Sequence, residues 1–189
     1  MAHFDEQSVI VYQAYCPQIA NYAIKHGRFG DGFSFSRMSW IKPNFLWMMF
    51  RCGWGTKENQ EITLGLRIRR AFFDQILFKT VPSTWDRSLH ATEDDWSKAV
   101  ERSNVRLQWD PDHNPSGAKI ERRAIQIGLR GEELLAFGTT ELLEVIDMSG
   151  FVAEQRDNAA AQKRAQLLMP VERVYKPSAA IAKHLGLNE

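Results

Sequence analysis

Strict alternation over eight residues constrains this chain more than any other feature. From Ile62 to Arg69, Ile62, Leu64, Leu66 and Ile68 alternate with Thr63, Gly65, Arg67 and Arg69. A period of two puts the apolar side chains on one face of a strand and the polar ones on the other. The pattern recurs where Val105, Leu107 and Trp109 alternate with Arg106, Gln108 and Asp110, and where Ile125, Ile127 and Leu129 share one face of 122–130. Residues 8–15 are rich in β-branched and aromatic side chains and read as another strand, and 142–147 as a last one.

Helical patterns separate these five strands. Pro17 opens a helix to His26, and Pro43 is placed as the first residue of a helix running to Cys52. Phe72, Phe73, Ile76 and Leu77 form one apolar stripe, and Thr92 caps a short helix to Arg102. Strands with one polar face suit a sheet covered on one side. The expectation is an α+β fold: a single mixed or antiparallel sheet of about five strands packed with helices. No repeat or domain boundary is visible. The 189 residues read as one domain, with a core over 8–155 and a peripheral helical tail over 156–189. Tyr15, Trp47, Leu66, Phe73, Leu107 and Ile127 are the expected core.

Composition narrows the function classes. Basic and acidic residues number 24 and 23, a formal net charge of +1, so an anion site must be a local patch. Cys16 and Cys52 form no CxxC pair, which fits a reducing compartment, where both are expected to be small buried hydrophobes. The opening MAHFDEQ has no apolar stretch, and the longest apolar run, 45–50, is too short for a membrane span. The expected location is the cytoplasm, with no membrane partner. Walker A, GxGxxG, HExxH and GxSxG motifs are absent, and no second His or Cys cluster supports a metal site.

Four stretches carry chemistry. In SRMSWIKPN, Pro43 pushes Lys42 into an extended conformation just before a helix N-terminus. A cation there costs about 0.3–1 kcal/mol against the helix dipole, which an anion held by Lys42 and Arg37 would relieve. The alternative is Lys42 in water and Arg37 paired with Asp31. Next, Arg67 with Arg69, Arg106 with Gln108, and Arg122 with Gln126 each share a strand face. They form either a phosphate-binding surface or a solvated face paired with acids. In WDPDHNPSG, His113 can act as a general acid or base beside Asp110 and Asp112; the alternative is an Asp-Pro turn. Finally, Trp40, Trp47 and Trp54 recur every seven residues, for core packing or for stacking on a base.

VYQAY (11–15), FSFSRMSWIKPNFLWMMFRCGWG (33–55), RLQWDPDH (106–113) and RRAIQIGLRG (122–131) together resemble the family catalogued as domain of unknown function 4291. The resemblance implies one compact domain and transfers no activity. A fold-level likeness to mono-ADP-ribosyltransferases lies in the order of Tyr12 and Gln13, then Ser34 and Ser36, then Glu141 or Glu144. The Arg or His typical of their first strand is replaced by Tyr12 and Gln13.

The leading expectation is a transferase handling a nucleotide or RNA, most concretely ADP-ribosyltransferase-like chemistry using NAD. Lys42, Arg37, Arg67, Arg69, Arg106 and Arg122 would hold phosphates, with Gln126, Tyr12 and Gln13 as further ligand contacts. His113 would move a proton, and Glu141 or Glu144 would face the ribose. One alternative is RNA-end joining or nucleotidyl transfer from ATP with Lys42 as nucleophile, although no KxDG motif is present. The other is a non-catalytic module that binds RNA or phosphate.

Overall fold

The computed structural model describes residues 1–187. It is α+β, as the alternation predicts, but it has two four-stranded sheets rather than one of about five. The first contains β1 (His3–Phe4), β2 (Ser8–Tyr15), β4 (Ile62–Arg69) and β8 (Leu142–Asp147), in that order and all antiparallel. The second has the order β3 (Ser39–Ile41), β7 (Lys119–Leu129), β6 (Val105–His113) and β5 (Val81–Pro82), with only β5 running parallel to its neighbour. Alternation reveals that a segment is a strand and which face is apolar; it does not say which sheet receives it. The edge strands β1 and β5 have only two residues each, too few to show a period.

Seven α-helices are found among the described residues: α1 (Pro17–His26), α2 (Phe45–Cys52), α3 (Arg70–Phe78), α4 (Glu93–Arg102), α5 (Gly131–Gly138), α6 (Ser149–Asn158) and α7 (Ala179–His184). The first sheet is covered on both faces, contrary to the expected single covering. Val9 and Val11 of β2 join Leu64, Leu66 and Ile68 of β4 in the main core, with Phe72 and Phe73 of α3 and Ile127 and Leu129 of β7. Ile10 and Tyr12, on the opposite face of β2, meet Phe45, Met48 and Met49 of α2 and Val152 of α6. The second sheet turns Val105, Leu107, Ile127 and Leu129 into the main core. Its other face is left to Arg106, Gln108 and Gln126.

The tail is less helical than expected. Between a 3-10 turn (Ala161–Gln166) and α7 the chain runs without a helix past Pro170 and Pro177. Proline lacks the backbone N–H that helix continuation needs. Arg173 bridges to Ala2 through two 2.9 Å backbone hydrogen bonds. Tyr175 packs edge-on against both Phe4 and Phe73, and its hydroxyl donates to Asp74 at 2.7 Å. The tail is thus a clamp across the first sheet and α3. Of the expected core, Trp47, Leu66, Phe73, Leu107 and Ile127 are buried and Tyr15 half-buried.

Phe73 sits where α3, the sheet core and this clamp meet, and is 1% exposed. Phe73→Ala is expected to cost about 3–5 kcal/mol in chemical denaturation. A loss below about 1 kcal/mol would show that the side chain is not packed there.

Candidate functional site

The two sheets are joined by backbone. Tyr12 N–H donates to the Lys42 carbonyl at 2.7 Å, and Lys42 N–H donates to the Tyr12 carbonyl at 3.2 Å. Pro43 favours the extended Lys42 backbone that this bridge requires. Beside the bridge lies a cleft of about 660 Å³. Gln13 of β2, Ser39 of β3, Gln108 of β6 and Gln126 of β7 reach it from the two sheets, and Trp40 and Phe33 add half-buried aromatic wall.

Three cations line the same cleft: Arg37, Lys42 and Arg51. Among the described residues no carboxylate lines it. Among the described residues neither Arg37 nor Arg51 forms an ion pair, and Arg37 does not pair with Asp31. Both are exposed at the rim, whereas Lys42 is only 5% exposed. Its Nζ donates to the Trp40 carbonyl at 3.4 Å. Burial, and then the charge of Arg51, lower the Lys42 pKa to about 8, against the opposing pull of Asp110.

The helix next to Lys42 is not an open anion site. It begins at Phe45, two residues later than the proline suggests. Asn44 caps it, its Oδ1 accepting from Trp47 N–H at 2.8 Å. Glu172, from the tail, accepts from Phe45 N–H at 2.6 Å and from Asn44 Nδ2 at 2.9 Å. The first N–H groups are therefore taken by protein acceptors. Burial pushes the Glu172 carboxyl up to about 7. Glu172 lies 128 residues from Asn44 in the chain, and no local pattern announces it.

The remaining predicted site residues lie outside the cleft. His113 is 2% exposed and held in an aromatic stack, its ring centroid 3.6 Å from that of Phe50 and 5.3 Å from that of Trp47. Neither ring nitrogen has a partner among the described residues, and burial lowers its pKa, as for a ring packed into the core. Trp47 belongs to the same stack, Trp54 packs on Phe45, and only Trp40 of the three spaced tryptophans lines the cleft.

Glu144 pairs with Arg67 at 2.8 Å, and Glu141 with Arg69 at 3.6 Å. Both acids are thereby held against the first sheet. Arg122 is locked onto buried Asp112 at 2.6 Å, and Arg106 donates to the Ser103 carbonyl. The sheet arginines do not form one face, because Arg67 and Arg69 belong to a different sheet from Arg106 and Arg122. Tyr12 points away from the cleft and packs edge-on against Phe45.

Of the predicted ligand residues, Gln13, Arg37, Lys42 and Gln126 share the cleft. Gln108, expected beside Arg106 on a polar strand face, lines it too, and Ser39 and Arg51 are additions that no sequence pattern placed in the site. Their only shared signal is polarity near the tryptophan-rich block or on a strand's polar face.

Residues 1–175 match the model of a family described as Domain of unknown function (DUF4291), a span wider at both ends than 8–155. No curated protein matches the chain. Among the described residues no helix is long and apolar enough to cross a membrane, and no cluster of three His, Cys, Asp or Glu side chains could hold a metal ion.

Lys42→Met removes a buried charge and is expected to raise apo stability at pH 7 by about 1–3 kcal/mol. The folded pKa, about 8, lies below the ordinary 10.5. Between these values the unfolded chain holds more protons, so wild-type stability rises with pH and the gap to the variant closes. Denaturation at pH 7 and pH 10 checks this; an unchanged gap would place Lys42 in a more solvated setting.

Proposed function

We propose, for a chain that belongs to the DUF4291 family, that the cleft holds the phosphate of a nucleotide or of an RNA end. One observation carries this reading: Arg37, Lys42 and Arg51 converge on a cleft that no carboxylate of the described residues lines. The arginines of the first sheet and Arg122, by contrast, have acidic partners. Like charges brought together repel, Asp110 offsetting the repulsion at Lys42 only in part, and a bound anion would reverse the sign of each contribution. Arg37 and Arg51 offer forked donors suited to phosphate oxygens, and Lys42 a point charge at the floor. A volume of about 660 Å³ is within the range of small-ligand sites and accommodates a nucleotide. Trp40 and Phe33 supply faces on which a base can stack.

A second reading, nucleotidyl transfer, is favoured by Lys42 itself. An amine with a pKa of about 8 is partly unprotonated near neutrality and can act as a nucleophile. Its nitrogen would attack the α-phosphorus of ATP and lose a proton, and the bond to the departing pyrophosphate would break. ADP-ribosyltransferase-like use of NAD draws support from Gln13 and Ser34 alone, which line the cleft, since Glu141 and Glu144 face arginines elsewhere.

Calorimetric titration of AMP, ATP and NAD into wild type and Lys42→Met tests the phosphate site. The variant is expected to bind about 1.5–3 kcal/mol more weakly. Wild-type affinity should fall as pH rises through about 8, where Lys42 loses its proton, while the variant stays flat over that step. Equal affinities would overturn the reading. Incubation with ATP followed by intact-mass analysis separates the two readings: a single adenylyl adduct, absent in Lys42→Met, marks nucleotidyl transfer, and an unmodified chain marks binding alone.

A further inference from the structure

We infer that the cleft takes a terminal phosphate, a monoester with three free oxygens, and that the Ser39 hydroxyl donates a hydrogen bond to one of them. This rests on the phosphate reading above and narrows it.

Gln13 and Tyr15 share a face of β2, and both line the cleft together with Ser39 of β3. Ser39 and Tyr15 are half-buried, so each keeps accessible surface. Ser39 Oγ has two neighbours. Gln13 Nε2 donates to it at 2.8 Å, and also to the Trp40 carbonyl at 3.0 Å. A carbonyl can only accept, which fixes the amide nitrogen on this side. The second neighbour is the Tyr15 hydroxyl, at 3.2 Å. Burial pushes the Tyr15 phenol well above its ordinary range, so it keeps its proton.

A phenol is more acidic than an alkyl hydroxyl, hence the stronger donor and the weaker acceptor. Tyr15 therefore donates and Ser39 accepts. Both acceptor sites of Ser39 Oγ are then filled from within the protein. Its own proton has no acceptor among the described residues. With the roles reversed the count is the same: two hydroxyls share one bond, and one proton of the pair is left over at the cleft. An ordinary exposed serine turns freely in water. Ser39 is held by two hydrogen bonds, so its donor is set before a ligand arrives.

The cations lie close by. Arg37 is near enough to the Tyr15 hydroxyl to oppose the rise in its pKa. Lys42 Nζ shares the Trp40 carbonyl with Gln13 Nε2, and the charge of Arg51 is felt at Lys42 in turn. The free hydroxyl proton thus belongs to the same group as all three cations.

Charge then decides between two kinds of phosphate. Three cations line the cleft, and Asp110 offsets the charge at Lys42 in part. A diester has a single negative charge and two free oxygens, and would leave the cleft positive. A monoester carries about −1.5 to −2 at pH 7 and offers three acceptor oxygens to two arginine forks, an ammonium and a hydroxyl. The neutral donor adds to this match without adding repulsion to the empty cleft.

Calorimetry at pH 7 with AMP and its phosphate O-methyl ester, which caps one oxygen and removes the second charge, tests this. Wild type is expected to bind AMP about tenfold more tightly, and the gap should narrow at pH 5, below the monoester's second ionisation near pH 6. Ser39→Ala should lose about tenfold in affinity for inorganic phosphate, the worth of one hydrogen bond to a charged group. Tyr15→Phe, which keeps the serine proton, should stay within about twofold. Ser39→Cys, which keeps the shape and offers only a weak donor, gives the same readout where Ser39→Ala does not fold. Equal wild-type affinities for AMP and its ester would overturn the monoester inference while leaving the phosphate site standing. Serine variants that bind inorganic phosphate like wild type would overturn the role of the hydroxyl. No binding of AMP, the ester or inorganic phosphate would overturn both this inference and the phosphate reading. A 5′-phosphorylated oligoribonucleotide binding more tightly than AMP supports an RNA end as the source; the reverse order supports a free nucleotide.

Discussion

Two backbone hydrogen bonds between Tyr12 and Lys42 set the arrangement of everything around the cleft. They tie β2 in the first sheet to the residue that follows β3 in the second. Because side chains alternate along a strand, the bridge decides which way each neighbour points. Tyr12 goes into the cluster under α2, so Gln13 goes the opposite way, into the cleft. Ile41, completely buried, enters the main core, and Lys42 is drawn to the cleft floor beside it. A shift of one residue in this pairing would bury a glutamine among the aromatics of α2 and send a tyrosine to the ligand side. The apolar pattern of β2, Val9 and Val11 one way and Ile10 and Tyr12 the other, opposes that slip on both faces.

Charge is partitioned with equal consistency. Each arginine of β4 has a carboxylate on or beside β8, and Arg122 has Asp112. The exposed pairs contribute little to stability, since such bridges are worth roughly 0–1 kcal/mol. Their main effect is to neutralise the first sheet's outer face. Three cations that form no ion pair among the described residues, Arg37, Lys42 and Arg51, meet at the cleft, on a chain whose total charge is only +1. A nearly neutral composition and a strongly local field are compatible, because composition averages over contacts that it cannot see.

Strands and helices were legible because their signals are local. The alternation of 62–69 and the cap at Thr92 involve residues within a few positions of one another. Lys42 and Arg37 were legible for the same reason: proline geometry and two cations within six residues. The assignment of strands to two sheets was not, because it rests on long-range pairings such as Ser39 with Leu129. Nor was the fate of His113. A histidine in a turn-rich stretch reads as accessible, yet β6 extends through it and lays the ring against Phe50 and Trp47. The two glutamates were misread by the same logic: their partners, Arg69 and Arg67, lie more than 70 residues earlier in the chain.

The cleft combines two opposite deficits. Its rim and floor carry three cations with Asp110 as a partial counter-charge behind Gln108 and Gln126, and the buried Gln13 Oε1 takes no hydrogen bond among the described residues. In water each deficit would be met separately by solvent, at small cost. In a partly enclosed site, where electrostatic interactions are stronger than in bulk, both are sharper. Neither can satisfy the other from within the protein: Gln13 and Lys42 both direct N–H groups at the Trp40 carbonyl, and that shared oxygen holds them side by side without their interacting. Another cation would worsen the first deficit, and an anion relieves it. The charge held at Lys42 and the rim arginines, more than volume or hydrophobic lining, is therefore what favours an anion in the cleft.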